Sequence, residues 1–464
     1  MRYLPLLALA PLLIAAAPAP GHKAPINKAP VHKVGTPAAA RPDLAAIASE
    51  VREDRLQATI NRLVAFGTRH TLSDRKSDTR GIGAAERWAA AEFAAMSKAC
   101  GGCLEVQIPK ETFTGKRVPN PTEIGAILAI QKGTTDPDRV VVISGHIDSR
   151  VTDAMNATSD APGANDDGSG TATVIEAARV LSKRKFAATI VYAVLEGEEQ
   201  GLYGGKTLAD YAKAHGWKVE ADLNNDIVGN THGIAGAVDR THVRVFSEGT
   251  KTVETPEQAN QRRYNGGEVD SPSRNLARYM DHLAEVYVKG LDVTMVYRTD
   301  RFSRGGDQTE MLNAGFPAVR VTEAAENYDR QHQDVRVENG HAYGDVASGV
   351  DFPYLAKVAR LNAVTLASLA RAPAPPEGVK IEGAVSADTK VSWAEVAGAA
   401  GYGLHWRSTT AAQWEHGQPA KASPQVLKGV VIDDWFFGVS AISADGYESP
   451  VVFPGPAGDF ISKP

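Results

Sequence analysis

Pro162-Gly163-Ala164-Asn165-Asp166-Asp167-Gly168-Ser169-Gly170 stands between a strand-like run ending at Gly145-His146-Ile147-Asp148-Ser149 and a helix-like run over residues 170–183. Glycines bounding the stretch permit the tight, left-handed backbone that a short strand-to-helix loop needs. Two adjacent carboxylates in such a loop can place one oxygen pair inward and hold the loop by hydrogen bonds with the other. His146 and Asp166 offer an imidazole nitrogen and a carboxylate, donors that zinc accepts, and a carboxylate has two oxygens with which to bridge two ions. Asp148, just beyond His146, is placed to accept the second ring N–H and fix the tautomer. Taken alone, the stretch reads equally well as a solvated Asp-rich turn. The rest of the chain decides between the two.

Ahead of the loop, Val140-Val141-Val142-Ile143 is a continuous apolar run suited to a sheet covered on both faces. Residues 104–113, 123–131 and 139–144 read as strands, followed by a helix over 170–183 with Val174, Ile175, Ala178 and Leu181 on one side. A strand over 188–195, a helix over 202–214 and a strand over 221–228 continue the alternation. It predicts an α/β sandwich with a largely parallel central sheet. Ligands of such sheets collect at the carboxyl ends of the strands, where these acidic loops fall. Helical spacing over 44–66 and 84–98 begins the folded body, and 351–371 closes it with a helix. Residues 311–323 read as a short helix and then a strand. Residues 230–297, with a helix over 273–288, read as an insertion that walls or covers the site.

The chain of 464 residues is long enough for two or three domains, and 43% hydrophobic with 23% charged residues is an ordinary globular balance. A net charge of −5 gives no basic field for nucleic acid and no polybasic surface for anionic lipid. Residues 1–20 carry one arginine and a short apolar run, the layout of a signal peptide and too short for a membrane span. This predicts export, to a secreted or periplasmic location. Residues 21–43 are rich in Pro, Ala and Lys and read as a linker. In an oxidising compartment Cys100 and Cys103, the only two cysteines, read as a small-loop disulfide. Ala372-Pro373-Ala374-Pro375-Pro376 ends the body, so that 44–371 forms one domain. Short alternating runs over 376–464 predict a β-sandwich. The order of Trp393, Tyr402, Trp406, Phe437 and Tyr447 within it resembles a fibronectin type III module, and these aromatics read as its core.

Three further polar segments carry chemistry. Glu196-Gly197-Glu198-Glu199 follows a strand of the buried type, and two adjacent glutamates there can divide labour, one on a metal and its neighbour over the water to be activated. Asn224-Asn225-Asp226 ends another strand with a carboxylate, and Asp329-Arg330-Gln331-His332 supplies a late histidine. Each alone is weak. Together His146, Asp166, Glu199, Asp226 and His332 make two imidazoles and three carboxylates, an inventory that fits two zinc ions sharing Asp166.

In order, Gly145-His146-Ile147-Asp148-Ser149, Gly163 through Gly170, Glu198-Glu199-Gln200-Gly201-Leu202-Tyr203-Gly204, Asp226 and His332 resemble metallopeptidase family 28, the co-catalytic dizinc aminopeptidases. The resemblance covers about residues 45–370 and implies the zinc exopeptidase fold, two Zn2+ per chain and peptide substrates. It also implies that His146 and Glu199 complete separate zinc shells with Asp226 and His332, that Asp166 bridges, that Glu198 is the general base and that Asp148 supports His146. The chain departs from many relatives at Gly306-Asp307-Gln308, where they carry Ser-Asp-His, and at Gln331, where they carry an aromatic. Neither departure removes a ligand.

The leading expectation is therefore an exported aminopeptidase. A carboxypeptidase or dipeptidase on the same scaffold is the alternative, in which one of Arg298, Arg301 and Arg304, with Arg304 first, clamps a substrate carboxylate. Glutaminyl cyclases use one zinc, and a receptor or adhesion protein on a decayed peptidase body would have lost ligands; the complete set speaks against both. Residues 376–464 hold no proposed ligand. They are expected to be dispensable for hydrolysis of a small peptide and to serve attachment to an extracellular or cell-wall partner.

Overall fold

Val140, Val141, Val142 and Ile143 are fully buried on a central strand whose side chains alternate between two cores. Val141 and Ile143 join a large core, and Val140 and Val142 a smaller one on the opposite face. The structure, a computed structural model, describes residues 40–460. The expected signal peptide and most of the expected linker lie outside these residues. Helix α1 (Pro42–Glu50) already begins within the last positions assigned to the linker.

After α1 come α2 (Glu53–Val64) and α3 (Ile82–Ala99), then β1 (Glu105–Gln107), β2 (Lys110–Gly115), β3 (Val118–Gln131) and β4 (Asp136–His146). Next are α4 (Gly168–Leu181), β5 (Ala188–Leu195), α5 (Glu198–Gly201), α6 (Tyr203–Ala214) and β6 (Lys218–Asn225). The body continues with β7 (His242–Phe246), α7 (Pro256–Asn265), α8 (Pro272–Tyr287), β8 (Asp292–Val296), α9 (Gln308–Asn313) and β9 (Ala318–Glu323). A hairpin of β10 (Arg336–Glu338) and β11 (His341–Tyr343) precedes α10 (Phe352–Arg371).

These strands build a nine-stranded sheet in the order β1-β3-β5-β4-β6-β9-β7-β8, with β2 on β3. It is mixed rather than largely parallel. The central run β5-β4-β6-β9 is parallel, whereas β3 pairs antiparallel with β5 and β7 antiparallel with β9. Helices α2, α4 and α10 cover one face, and α6 and α9 the other. Of the fourteen residues in α4, Gly168 through Ala178 and then Val180 and Leu181 are buried. Its small side chains let it lie close on the sheet, with Asp167 as its N-cap accepting from Gly170 N at 2.8 Å.

The helix expected over 44–66 is two helices. Val51 and Arg52 are extended, Val51 is buried, and Arg52 N donates to Glu176 Oε1 at 2.7 Å instead of continuing the helix. Residues 230–297 are not a covering insertion alone, because β7 and β8 extend the central sheet beyond β9. Cys100 and Cys103 are disulfide-bonded in the turn after α3, and Gly101 and Gly102 take φ of +78° and +89° there, conformations that glycine adopts without penalty.

The C-terminal region holds β12 (Lys380–Glu382), β13 (Thr389–Ser392), β14 (Ala399–Ser408), β15 (His416–Ala420), β16 (Gln425–Leu427) and β17 (Trp435–Ser443). They form two antiparallel three-stranded sheets, β12-β13-β16 and β15-β14-β17. Trp393, Tyr402 and Phe437 lie in the core that the two sheets share, and Trp406 packs against it. The region is not suspended from the body. Arg407 of β14 and Arg278 of α8 both bind the buried carboxylate of Asp270, and no helix among the described residues is long and apolar enough to cross a membrane.

Candidate metal centre

Strand ends set the site. β4 ends at His146, which pairs in register with Leu195 at the end of the parallel β5, and β6 ends one residue before Asp226. After β5 the chain turns through Gly197, at φ +77°, so that Glu198 and Glu199 start a single turn of helix over the same edge. The Asp166 loop and His332 reach that edge from the side. The structure thereby gathers His146, Asp166 and Asp226 into one cluster and Asp166, Glu199 and His332 into another, with the candidate ligand atoms in each within 4.8 Å of one another.

Asp166 belongs to both clusters through different oxygens. Its Oδ1 lies 3.3 Å from His146 Nε2, and its Oδ2 lies 2.9 Å from His332 Nε2. Asp226 Oδ1 is 3.8 Å from His146 Nε2, and Glu199 Oε1 is 3.0 Å from His332 Nε2. Asp167, across a cis peptide from Asp166, turns the other way and accepts from the backbone N–H groups of His146, Gly170 and Ile227. A Cβ at Gly170 would come within 2.1 Å of Asn225 O, so this close approach of helix and strand needs glycine.

Asp148 is fully buried beside His146, whose Nδ1 lies 3.1 Å from the Asp148 carbonyl and 3.4 Å from its carboxylate. The carboxylate accepts from Thr71 Oγ1 and from the backbone of Glu198 and Glu199, so one residue orients the imidazole and anchors the glutamate turn. Several supporting residues have no counterpart in the sequence reading. Asp345 accepts from the backbone of Asn165 and Asp166, Arg320 Nη1 reaches Asp226 Oδ2 at 2.5 Å, and Arg150 donates to Glu199 Oε2 at 2.8 Å with its Nη2 2.7 Å from His332 Nδ1. An arginine inside the apolar strand Ala318-Val319-Arg320-Val321 was the one legible sign that a buried carboxylate awaited it.

Of the three candidate clamp arginines, Arg304 lies 3.3 Å from Glu326. Arg301 is 3.7 Å from the same carboxylate and 4.0 Å from Asp226, and Arg298 lies over the Phe302 ring. The disulfide of Cys100 and Cys103 belongs to the α3–β1 turn rather than to either cluster.

Burial pulls His146 down, but Glu198, Asp148, Asp166 and Asp226 outweigh it and hold the imidazole well above its ordinary value. At His332 burial is likewise overcome by Glu199 and Asp166, raising it to about 10. Burial favours neutral Asp166, and the two imidazoles reverse this and hold it well below the carboxylate range. Imidazoles that bind protons this readily mark a pocket with a surplus of negative charge, for which a metal ion competes with the proton. Glu199 Oε1 is buried and makes no well-formed hydrogen bond, with the His332 ring at 3.0 Å and the Asp166 carboxylate in the same cluster as its near neighbours. Nitrogen and carboxylate donors in this arrangement fit zinc.

A family model described as "Peptidase family M28" matches residues 126–352. A probable zinc metalloprotease of Pyrenophora teres f. teres is 44% identical over 420 residues, covering 89% of this chain and 87% of its own. A probable zinc metalloprotease of Leptosphaeria maculans is 44% identical over 418 residues, covering 89% of this chain and 97% of the relative. Among solved structures, the Legionella pneumophila LapA aminopeptidase aligns at a TM-score of 0.50 with 19% identity, over 71% of this chain and 74% of that one. LapB from the same organism aligns at 0.52 with 16% identity, over 73% and 78%. These structural likenesses concern the fold.

Proposed function

The chain belongs to peptidase family M28, a zinc metallopeptidase by its relatives, and we propose that it is an exported exopeptidase that removes N-terminal residues with two zinc ions and Glu198 as general base. The observation that carries this reading is the division of Asp166, one oxygen toward His146 and the other toward His332. His146, Asp226 and Asp166 would hold one ion, and Glu199, His332 and Asp166 the other. Zinc bound there supplies a Lewis acid that lowers the pKa of the attacking water and polarises the scissile carbonyl.

Glu198 accepts the proton of that water and returns it to the departing amine. Burial, reinforced by Asp226, Glu199 and Asp307 against the opposing His146, holds its carboxyl well above the ordinary range, so it binds a proton readily. Asp148 fixes the Glu198 turn and the His146 ring from one carboxylate.

The carboxylates of Glu198, Glu199 and Asp226 around one pocket support recognition of a substrate ammonium. A carboxypeptidase reading needs a guanidinium free to clamp; Glu326 lies 3.3 Å from Arg304 and 3.7 Å from Arg301, and Arg298 packs over the Phe302 ring. The N-terminal apolar run supports secretion or a periplasmic location. The order of aromatics supports a fibronectin type III-like module over 376–464, serving an extracellular or cell-wall partner.

Turnover of a free peptide, its N-acetylated form and its C-terminal amide tests the specificity. Acetylation is expected to abolish cleavage and amidation to leave it. Efficient cleavage of the acetylated peptide, with loss on amidation, would replace this reading by carboxypeptidase action with Arg304 the first clamp to examine.

A further inference from the structure

Arg150 follows four residues after His146, and its guanidinium lies against both side chains that the Asp166–Glu199–His332 cluster does not share with its neighbour. Nε donates to Glu199 Oε2 at 2.8 Å, and Nη2 lies 2.7 Å from His332 Nδ1. Nη1 donates to the carbonyls of Val151 and Thr152 at 3.2 and 3.4 Å. Thr152 Oγ1 in turn accepts from Asp334 N at 3.2 Å, which ties this turn to the chain just beyond His332. With its side chain 14% exposed, the guanidinium is held from several sides at the back of two candidate ligands.

The two halves of the centre are supported by charges of opposite sign. His146 Nδ1 faces the carbonyl and carboxylate of Asp148, whereas His332 Nδ1 faces a guanidinium. Asp226 has cations nearby as well, Arg320 at 2.5 Å and Arg301 at 4.0 Å. Those two are offset by carboxylates of their own, since Asp300 lies 3.7 Å from Arg320 and 3.2 Å from Arg301, and Glu326 lies 3.7 Å from Arg301. Among the described residues Arg150 has no ion pair other than Glu199, and a further guanidinium, that of Arg117, donates to the Glu199 carbonyl at 2.7 Å. Gln331 Nε2 donates to Asp166 Oδ2 at 3.2 Å, the oxygen on the same side.

We infer that Arg150 is a positioning residue that makes the Glu199–His332 position the weaker and more readily exchanged of the two. A guanidinium fixed against two ligand side chains opposes a divalent cation bound by those same side chains. When no ion is bound, it compensates the buried Glu199 carboxylate, so metal and Arg150 compete for one negative charge. Its bond to Oε2 also leaves Glu199 one oxygen to offer, Oε1, which keeps a coordination place for water or substrate. The inference rests on the two-ion reading and concerns the affinity of one position, not the choice of substrate.

Zinc content of the full-length enzyme, dialysed in buffers of graded free zinc, tests it. The parent is expected to lose its two ions in separate steps, and Arg150→Met to move the earlier loss to at least about tenfold lower free zinc while the later one stays in place. Arg150→Lys, which keeps the charge without the two-point contact, should stay near the parent. In the Glu199→Ala enzyme, where the His146–Asp226 position is expected to remain, Arg150→Met should leave zinc affinity unchanged. Thermal midpoints give a second readout that also records any folding defect: Arg150→Met should lower the midpoint of the zinc-stripped enzyme and spare that of the loaded one. Weaker or unchanged zinc binding in Arg150→Met would overturn the inference, as would a Lys variant that behaves like Met or an equal shift in the Glu199→Ala background. A parent that takes up one zinc only would overturn the two-ion reading along with it, whereas a two-zinc parent matched by Arg150→Met would overturn this inference alone.

Discussion

Nη2 of Arg407 in the C-terminal sheets reaches both oxygens of Asp270 in the peptidase body at 2.8 Å, with all three of Asp270, Arg407 and Arg278 buried. Arg278 Nη1 completes the cluster at 3.0 Å. Removing one partner of a buried ion pair leaves charge without compensation, a loss of about 3–5 kcal/mol. Arg407→Met is therefore expected to lower the chemical-denaturation midpoint strongly without changing zinc content. A shift worth less than about 1 kcal/mol would show that Arg278 alone satisfies Asp270. Neither metal cluster draws a residue from the C-terminal region, whose Arg407 instead pairs with a buried carboxylate of the body.

Asp166 is the one residue common to both clusters. Metal analysis of the intact enzyme is expected to give about two zinc ions per chain, and Asp166→Ala should lower the affinity for both. Asp226→Ala and Glu199→Ala should each weaken one site and largely spare the other. Full activity with a single ion, unimproved by a second, would reject the bridge.

Much of the site was legible because its residues follow strands. His146 and Glu199 stand at or just after the carboxyl ends of buried apolar runs, whose pattern is local in sequence, and Asp226 follows β6, a buried strand that carries polar side chains as well. The supporting shell was not, since Arg320 meets Asp226 only through the parallel pairing of β6 with β9, and Asp345 reaches the Asp166 loop from a segment 179 residues away. Sheet direction escaped for a related reason. The alternation of strands and helices describes the centre, but β3 enters antiparallel after its pairing with β2, and β7 and β8 are five-residue strands whose apolar content is too short to reveal their partners. The break at Val51 and Arg52 depends on a distant acceptor, Glu176, that no helical period contains.

Asp222 gives the fold a pH dependence apart from the metal ligands. It is buried in β6, where Oδ1 accepts from Ser144 Oγ at 2.8 Å and Oδ2 has no hydrogen bond. Burial raises its pKa to about 7, against the smaller opposing effect of the Ser144 hydrogen bond. An unfolded aspartate titrates near about 3.9, so between about pH 4 and 7 the folded chain holds a proton that the unfolded chain has lost. Stability from this group is intact below that window and falls as pH rises through it, by at most about 1.4 kcal/mol per unit. Asp222→Asn removes the ionisation, so its denaturation midpoint relative to the parent should rise from pH 4 to pH 8. A difference independent of pH would show that Asp222 ionises without cost.

Glu198 completes neither cluster, yet its backbone N–H is held by Asp148 Oδ1 at 3.2 Å, beside the matching bond from Glu199 to Oδ2. One anchor thus serves a ligand position and a neighbour left free to move a proton. Glu198→Gln retains the size and most of the hydrogen bonding but cannot accept the proton of the attacking water. Turnover is expected to fall by about 10²–10⁴-fold, the range associated with a lost general base, while KM changes little. Zinc content measured on the same preparation should stay at the parental value, because the substitution touches no proposed ligand. Near-parental turnover would remove Glu198 from the mechanism, and loss of one zinc would instead make it a ligand and shift the base role to another carboxylate of the pocket.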